Sequence, residues 1–365
     1  MRKTRWLMTG NDPETKPAIY HCISRVVDRR FVFGDEEREV FRMLMRMYEN
    51  FSGCRALSYC VMSNHFHILL EVPPMAENGL CDEELLKRLA ALYSEAFVAG
   101  VAAELNAVRH APNGEFLNQD SQGAAVKAIH ERFTPRMHDL SQFMKGLLIR
   151  FTRWFNRKHS RKGTLWEERF KSVIVEGGIA ARTIAAYIDL NPVRAGMVSD
   201  PADYRWSSYG EAIGGGNKGN GKKAREGLVR AFLSDKGIGF DAEKWHEAAR
   251  GYRRLLGLAL ERKSGRAEVG NVNAAKTKSS QEALESGENE TALKEIGVAK
   301  MLRCRVRYFT DGAVIGSRVF VDEAFHEARS RFGPKRKDGA RSLKGNASPA
   351  AGVLWSMRNL RVGVN

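Results

Sequence analysis

The 365-residue sequence contains few cysteines and no long apolar run. The five cysteines are odd in number and lack Cys-x-x-Cys spacing, so neither a disulfide framework nor a zinc knuckle is predicted. The lack of any run of about 18 apolar residues argues against a membrane span. The basic N-terminus is not followed by an apolar signal core, and we therefore expect a cytoplasmic protein. No internal repeat is present.

Positive charge is the main excess. Lys and Arg number 59 against 43 Asp and Glu, which gives a net charge of +16 and a pI of about 9.7. A surplus of this size is typical of proteins that bind a polyanion, most often nucleic acid. An anionic membrane surface is the alternative, but it requires a basic amphipathic helix with a continuous apolar face, and no convincing one is found. Charge alone does not distinguish DNA from RNA.

Two histidines interrupt an apolar stretch, residues 61–73, that predicts a β-strand. Because side chains alternate along a strand, His65 and His67 share one face and Phe66 points into the core. Two adjacent imidazoles make a good half-site for a divalent metal. The alternative is a pair of polar residues on the solvated face of a half-buried strand. His21, in a strand predicted over residues 18–27, is expected to be a core or supporting residue rather than a ligand.

Apolar periodicity and turn residues predict the remaining elements. A strand over residues 54–60 leads into the histidine strand either directly or through a turn at 62–64. Residues 113–124 and 214–223 are predicted to be a loop and a flexible linker, and residues 263–292 to be disordered. In the C-terminal part, residues 302–309 alternate and a tight turn follows at 311–312. Helices are predicted from Asp35 to about Phe51, over 83–105 and 140–159, from Ile179 to Asn191-Pro192, and over 228–260 and 319–331.

Two stretches combine cations with aromatic residues. The helix at 140–159 carries an aromatic stripe typical of core packing, while its other faces carry cations that either contact phosphate or are simply solvated. Trp166 with Arg169 and Lys171 resembles an aromatic platform for gripping a single strand; an ordinary strand with polar residues is the alternative. The cations on the helix are Lys145, Arg150, Arg153, Arg157 and Lys158.

Four blocks in order resemble the HUH single-tyrosine transposases, most closely the REP-associated tyrosine transposases. They are MSNHFHILL at 62–70, GTLWEERFK at 163–171, YIDLNPVRAG at 187–196 and DYRWSSY at 203–209. The resemblance implies an α+β fold, a ferredoxin-like antiparallel sheet with packed helices. It implies a transposase domain over 1–212 with a helical expansion at 75–138. A linker and helical extension at 213–292, partly disordered, and a small basic C-terminal unit at 293–365 follow.

The resemblance also implies chemistry. Tyr187 would attack a phosphodiester in single-stranded, hairpin-forming DNA such as a REP-like palindrome, leaving a 5′-phosphotyrosine link and a free 3′-OH. His65 and His67 with Asn191 would hold Mg²⁺ or Mn²⁺. The protein would act as a monomer or homodimer. Residues expected to contact DNA are Arg150, Arg153, Arg157, Lys158, Trp166, Arg169, Lys171 and Arg194.

Several alternatives stay open at the level of sequence. Tyr187 on an Ala-rich helix can be a packed aromatic residue, and Tyr204 and Tyr209 are rival nucleophiles. The chain can be a non-catalytic protein that only binds structured DNA or RNA; an RNA-processing nuclease is a weaker third possibility. The basic segments 303–307 and 335–337 are candidates for extra DNA contact, with plain surface charge as the alternative.

Overall fold

The computed structural model describes residues 7, 17–110, 119–214, 221–234, 237–260, 298–299, 301–302, 308–343 and 354–357. Contacts divide the chain into two compact units. The histidine unit comprises residues 8–56 and 61–170, and the tyrosine unit comprises residues 1–7, 57–60 and 171–365. Both strands and helices are abundant, and the α+β fold class is confirmed. The predicted domain boundaries stay a prediction.

The histidine unit is built on an antiparallel strand pair. Strand β1 (Ala18–Arg25) pairs with β3 (His65–Val72) over eight residue pairs, from Ala18 opposite Val72 to Arg25 opposite His65. Strand β2 (Arg55–Val61) ends just before a turn at residues 62–64, so the histidine strand begins at His65 rather than at residue 61. Helix α1 (Asp35–Ser52) matches its prediction within one residue.

The helical expansion forms three helices. The helix predicted over 83–105 is wrong as a single element, because the chain turns at residues 91–94 and Ser94 starts a new helix by accepting a hydrogen bond from the Phe97 N–H. Residues 113–118 of the predicted loop lie outside the described residues, and residues 119–124 are helical. The helices are α2 (Asp82–Ala90), α3 (Glu95–Arg109) and α4 (Gln119–Glu131), followed by α5 (Leu140–Lys158).

Buried apolar residues hold the expansion onto α1. Leu85 and Leu89 of α2, Leu105 of α3 and Phe133 pack with Phe51 at the end of α1. Because these residues recur every three or four positions, each helix turns one apolar face inward. The expansion is therefore packed against the helix that follows β1, and is not a loosely attached insertion.

The tyrosine unit contains a second set of strands, ordered β4-β5-β7-β6. Strand β4 pairs with β5 in parallel, through Ile174 opposite Val314, and the other two pairings are antiparallel. The strands are β4 (Lys171–Val175), β5 (Val314–Gly316), β6 (Arg341–Ser342) and β7 (Trp355–Met357). The helices are α6 (Ile179–Asp189), α7 (Asn191–Arg194), α8 (Ser208–Gly214), α9 (Lys222–Leu233), α10 (Trp245–Leu260), α11 (Tyr308–Asp311) and α12 (Arg318–Glu327).

Three predictions in this unit need correction. The helix over 228–260 is two helices, α9 and α10, separated by residues 234–244. Helix α9 begins at Lys222, inside the predicted linker, and α12 ends at Glu327, before a 3₁₀ turn at Arg329–Arg331. Residues 215–220, 261–297 and 303–307 lie outside the described residues, so the disorder predicted for 263–292 stays a prediction. No helix in the described part of the chain is long and apolar enough to cross a membrane.

Candidate active site

The histidine strand places two imidazoles on one face. The centroids of the His65 and His67 rings lie 5.1 Å apart, with the rings nearly perpendicular. His67 is buried and His65 is half-buried. Phe66 points to the opposite face, where its ring packs against Phe41 and Trp166. The rigid strand thus holds the pair in a fixed orientation.

Asn64 determines which nitrogen of His65 carries the proton. The Asn64 amide nitrogen donates to the Arg29 carbonyl at 2.8 Å, so its oxygen faces the ring and lies 2.7 Å from His65 Nδ1. An oxygen can only accept, so Nδ1 carries the hydrogen and Nε2 keeps its lone pair. Burial, assisted by the positive charge of Arg25, lowers the pKa of His65 to about 4. The ring is therefore neutral near pH 7, in the form that binds metal.

His67 has a histidine partner on the neighbouring strand. Its Nδ1 lies 3.0 Å from His21 Nε2, and the two rings stack with centroids 5.1 Å apart. If His67 donates from Nδ1, its Nε2 carries a lone pair; if His21 donates, the proton of His67 moves to Nε2. Sequence predicted only a core or supporting role for His21. The contact depends on the register, which places His67 opposite Ile23 and so beside His21.

Tyr187 and Asn191 lie one helical turn apart in the tyrosine unit. The half-buried Tyr187 ring contacts Phe309 edge-on at 5.1 Å, and the Arg194 guanidinium lies 5.1 Å from its centroid. The Asn191 amide nitrogen donates to the carbonyls of Tyr187 at 3.0 Å and Ile188 at 3.3 Å. Its oxygen therefore faces away from those carbonyls, and no described residue donates a hydrogen bond to it.

Asp189, between these two residues, anchors the helix, and sequence reasoning missed it. Its buried carboxylate accepts from the Tyr252 hydroxyl at 2.7 Å and the Tyr209 N–H at 3.0 Å. Burial raises the pKa of this carboxyl to about 7, although these hydrogen bonds oppose the shift. A lone Asp in an apolar helix was the available signal. Because Asp189 faces the core, it fixes the rotation of α6 and with it the directions of its neighbours.

The rival nucleophiles are buried. Tyr204 is 4% exposed and packs edge-on against Trp206, and Tyr209 is 1% exposed and packs against Tyr252. A nucleophile must reach the phosphate of its substrate, which a half-buried phenol can do and a fully buried one cannot without rearrangement. Of the three candidate tyrosines, Tyr187 is the only one that is not buried.

Protein contacts already occupy several residues that were expected to bind DNA. The Trp166 ring packs among Phe33, Phe66 and Phe151, and its N–H donates to the Thr152 hydroxyl at 2.9 Å, so packing accounts for it without a DNA contact. Lys158 forms ion pairs with Glu36 and, at 3.0 Å, with Glu37.

Two further cations in that set also have protein partners. Lys171 lies 3.8 Å from Asp311. Arg194 donates to the carbonyl of Leu302 at 2.6 Å.

Three of the other expected contacts face solvent. Arg153, Arg157 and Arg169 are exposed, as are Lys335 and Lys337 of the C-terminal segment, whereas residues 303–307 lie outside the described residues. Arg150 is half-buried and directs both terminal nitrogens to the Leu92 carbonyl at 3.4 Å. All DNA contacts stay predictions.

The donor set can be compared with the needs of a divalent ion. Among the described residues no group of three His, Cys, Asp or Glu side chains could hold a metal. The histidine unit supplies two imidazoles, which Mn²⁺ accepts as ligands, and the tyrosine unit supplies an amide oxygen, a ligand type that both Mn²⁺ and Mg²⁺ accept. The structure brings His65 and His67 together in one unit, and Tyr187 and Asn191 together in the other.

Comparison with known proteins supports the resemblance. No curated protein matches the chain significantly. A solved structure described as a REP-associated tyrosine transposase bound to a REP hairpin is 13% identical, with 59% of this chain and 86% of that chain covered and a TM-score of 0.31. Residues 15–81, which contain β1, α1, β2 and the histidine strand, match the family model described as IS200-like transposase. The resemblance to the single-tyrosine transposases is thereby confirmed over residues 15–81, which include the first of the four sequence blocks.

Proposed function

We propose that this chain is a metal-dependent tyrosine transposase that cleaves and rejoins single-stranded, hairpin-forming DNA. The observation that carries the proposal is the imidazole pair on β3, in which Asn64 leaves the Nε2 lone pair of His65 available. This pair lies inside the segment that matches the IS200-like transposase model. Solvated histidines on a strand would need no such fixed orientation, and a buried imidazole next to a half-buried one is an unusual use of strand positions.

The ion would be held by Nε2 of His65, Nε2 of His67 and the amide oxygen of Asn191. Imidazole suits Mn²⁺ better than Mg²⁺, so we expect tighter binding of Mn²⁺ in vitro. When bound, the metal supplies polarisation of the scissile phosphate and offsets its developing negative charge. His67 can take part only in the tautomer that donates from Nδ1, and His21 Nε2 is the acceptor that stabilises this tautomer.

Tyr187 is the proposed nucleophile. Its phenol oxygen forms a bond to phosphorus while the bond from phosphorus to the 3′ oxygen breaks; the phenol loses its proton and the departing 3′ oxygen gains one. The products are a 5′-phosphotyrosine and a 3′-OH, and the ester conserves the bond for rejoining. The hydrogen bond from Asn191 to the Tyr187 carbonyl ties the amide and the phenol to one helical turn.

A covalent adduct tests the proposal. We expect the protein, incubated with labelled hairpin oligonucleotides and Mn²⁺, to form an SDS-resistant adduct that chelator prevents. Tyr187→Phe should abolish the adduct and leave hairpin affinity unchanged, whereas Tyr204→Phe, as a matched control, should keep it. An adduct with Tyr187→Phe would assign the nucleophile elsewhere.

Two other outcomes separate the alternatives. Tight hairpin binding by the natural sequence without any adduct would favour the non-catalytic binding protein. Adduct-free cleavage of RNA would favour a nuclease.

A further inference from the structure

A pocket of about 500 Å³ lies in the histidine unit, where α1 and α5 meet the helical expansion. Helix α1 contributes Tyr48 and Phe51, and the expansion contributes Tyr93 and Arg136. Its volume is in the range of ordinary small-ligand sites. It contains none of the residues assigned above to metal binding or to nucleophilic attack.

One face of α5 forms the rim of the pocket. Lys145, Ile149 and Arg153 recur at four-residue spacing, so they line up along the helix. Lys145 and Arg153 are exposed, and neither forms an ion pair with any described residue. Ile149, between them, is 43% exposed. The rim therefore presents an apolar surface between two cations that lack an acidic partner.

Aromatic rings and two arginines that donate to other protein groups, Arg136 and Arg150, form the wall of the pocket. Arg136 donates to the Tyr93 hydroxyl at 2.6 Å and lies 5.2 Å from the centroid of the Phe51 ring. Gly146 is needed for this wall, because a Cβ there would lie 2.4 Å from the Tyr48 ring. Tyr48 therefore lies directly against the backbone of α5 at Gly146. The wall offers flat apolar surface next to fixed positive charge.

The charge of the pocket has one sign. Four of its lining residues are cations, namely Arg136, Lys145, Arg150 and Arg153, and no acidic residue is among the lining residues, all of which are described. Flat aromatic and aliphatic surfaces bind a nucleobase, and cations at the rim bind its phosphate. A metabolite without negative charge would leave these cations unmatched.

We propose that this pocket binds one unpaired nucleotide of a DNA strand, with the base against Tyr48 and Ile149 and the phosphate between Lys145 and Arg153. This inference deepens the proposed function, on which it rests, by assigning a substrate contact to the expansion. Because Tyr93 and Arg136 come from the expansion, the site exists only where the expansion packs on α1.

An abasic scan tests the pocket. The probe is a hairpin with single-stranded thymidine flanks, in which one position after another lacks its base; affinity is measured by fluorescence anisotropy. We expect one flank position whose abasic form weakens binding about tenfold. Lys145→Gln/Arg153→Gln should weaken the intact probe and remove the sensitivity to that position. Lys87→Gln/Lys127→Gln, which removes the same charge elsewhere on the histidine unit, should keep it.

A further variant and a separate adduct measurement make the test of the pocket decisive. Ile149→Glu, at an exposed position, should reproduce the loss without lowering the melting temperature. The pocket is rejected if no flank position depends on Lys145 and Arg153, or if both double variants behave alike. Adduct formation by Tyr187 is scored separately: sensitivity without an adduct rejects the transposase chemistry only, and an adduct without sensitivity rejects the pocket only.

Discussion

The two halves of the proposed active site are positioned in different ways. In the histidine unit, each ring is held through its Nδ1 atom, which contacts Asn64 in the case of His65 and His21 in the case of His67. In the tyrosine unit, Tyr187 itself is held by ring contacts, while Asp189 fixes the helix that carries it. The metal half thus depends on hydrogen bonds to the side chains themselves, and the nucleophile half depends on the anchoring of a helix.

This difference has a practical consequence for variants. A change beside the histidines should alter metal affinity with little effect on folding, because the strand pair continues for five more residue pairs beyond them. A change to the Asp189 anchor should first lower stability and lower adduct formation only as a result. Three substitutions examine the comparison.

Asp189→Ala should have the largest effect. It leaves the Tyr252 hydroxyl and the Tyr209 N–H as buried donors without an acceptor, at a cost of about 1–3 kcal/mol each. Denaturant unfolding followed by tryptophan fluorescence measures the loss. Asp189→Asn keeps an acceptor oxygen and should lose less. If the Ala variant were as stable as the natural sequence, α6 would be anchored by packing alone.

His21→Ala should lower Mn²⁺ affinity roughly tenfold without a comparable loss of stability, since loss of the partner of a ligand histidine costs about 10–100-fold. Calorimetric titration in the Tyr187→Phe background measures affinity apart from chemistry. His21→Gln, whose amide oxygen can accept from His67 Nδ1, should recover part of the lost Mn²⁺ affinity. His110→Ala, at an exposed position, should leave the affinity unchanged. Equal affinities for the Ala and Gln variants would contradict the tautomer argument.

The smallest effect concerns a histidine away from the site. Burial lowers the pKa of His138 below its ordinary 6.5, while its hydrogen bond to the Pro73 carbonyl opposes this and the charge of Arg88 adds to it. Between the two pKa values the unfolded chain binds a proton that the folded chain does not, so stability falls as pH drops below about 6.5.

The melting temperature of His138→Gln should therefore fall less than that of the natural sequence when the pH is lowered from 7.5 to 5.5. A parallel decline in both would show that groups other than His138 control the pH dependence. Because His138 has no part in the proposed metal site, this comparison measures the stability cost of burying a histidine apart from metal binding.

Local patterns predicted much of the fold. The periodicity of α1 and α5, the shared face of His65 and His67, and the helix before Asn191 are all encoded within a few turns of chain. The breaks inside the predicted helices were missed because the apolar spacing continues across them. Ser94 caps a new helix, although the apolar residues on either side of it have the spacing of a single helix. The parallel pairing of β4 with β5 could not be predicted, since nothing local specifies a partner so far along the chain.

The sequence alone identified the candidate ligands of the site, but it did not identify the residues that orient them. Alternation is enough to pair His65 with His67, but the contact of His67 with His21 follows from the strand register. Asn64 stood beside His65 in the sequence, yet its role needed the Arg29 carbonyl that orients the amide. The sequence also did not reveal that the Trp166 ring packs among aromatic residues, because an aromatic residue between cations has the same local appearance on a surface as in a core.

The pairing of β4 with β5 has a consequence for how the chain is made. Residues 176–313 must leave the ribosome before Val314 can reach Ile174. Until then the nascent polypeptide carries an open strand edge, which is a template for association with other chains. Premature termination or C-terminal proteolysis would leave that edge permanently bare, so shortened products should aggregate. Removing residues 293–365 to test DNA binding would meet this problem, and charge substitutions at Lys335 and Lys337 avoid it.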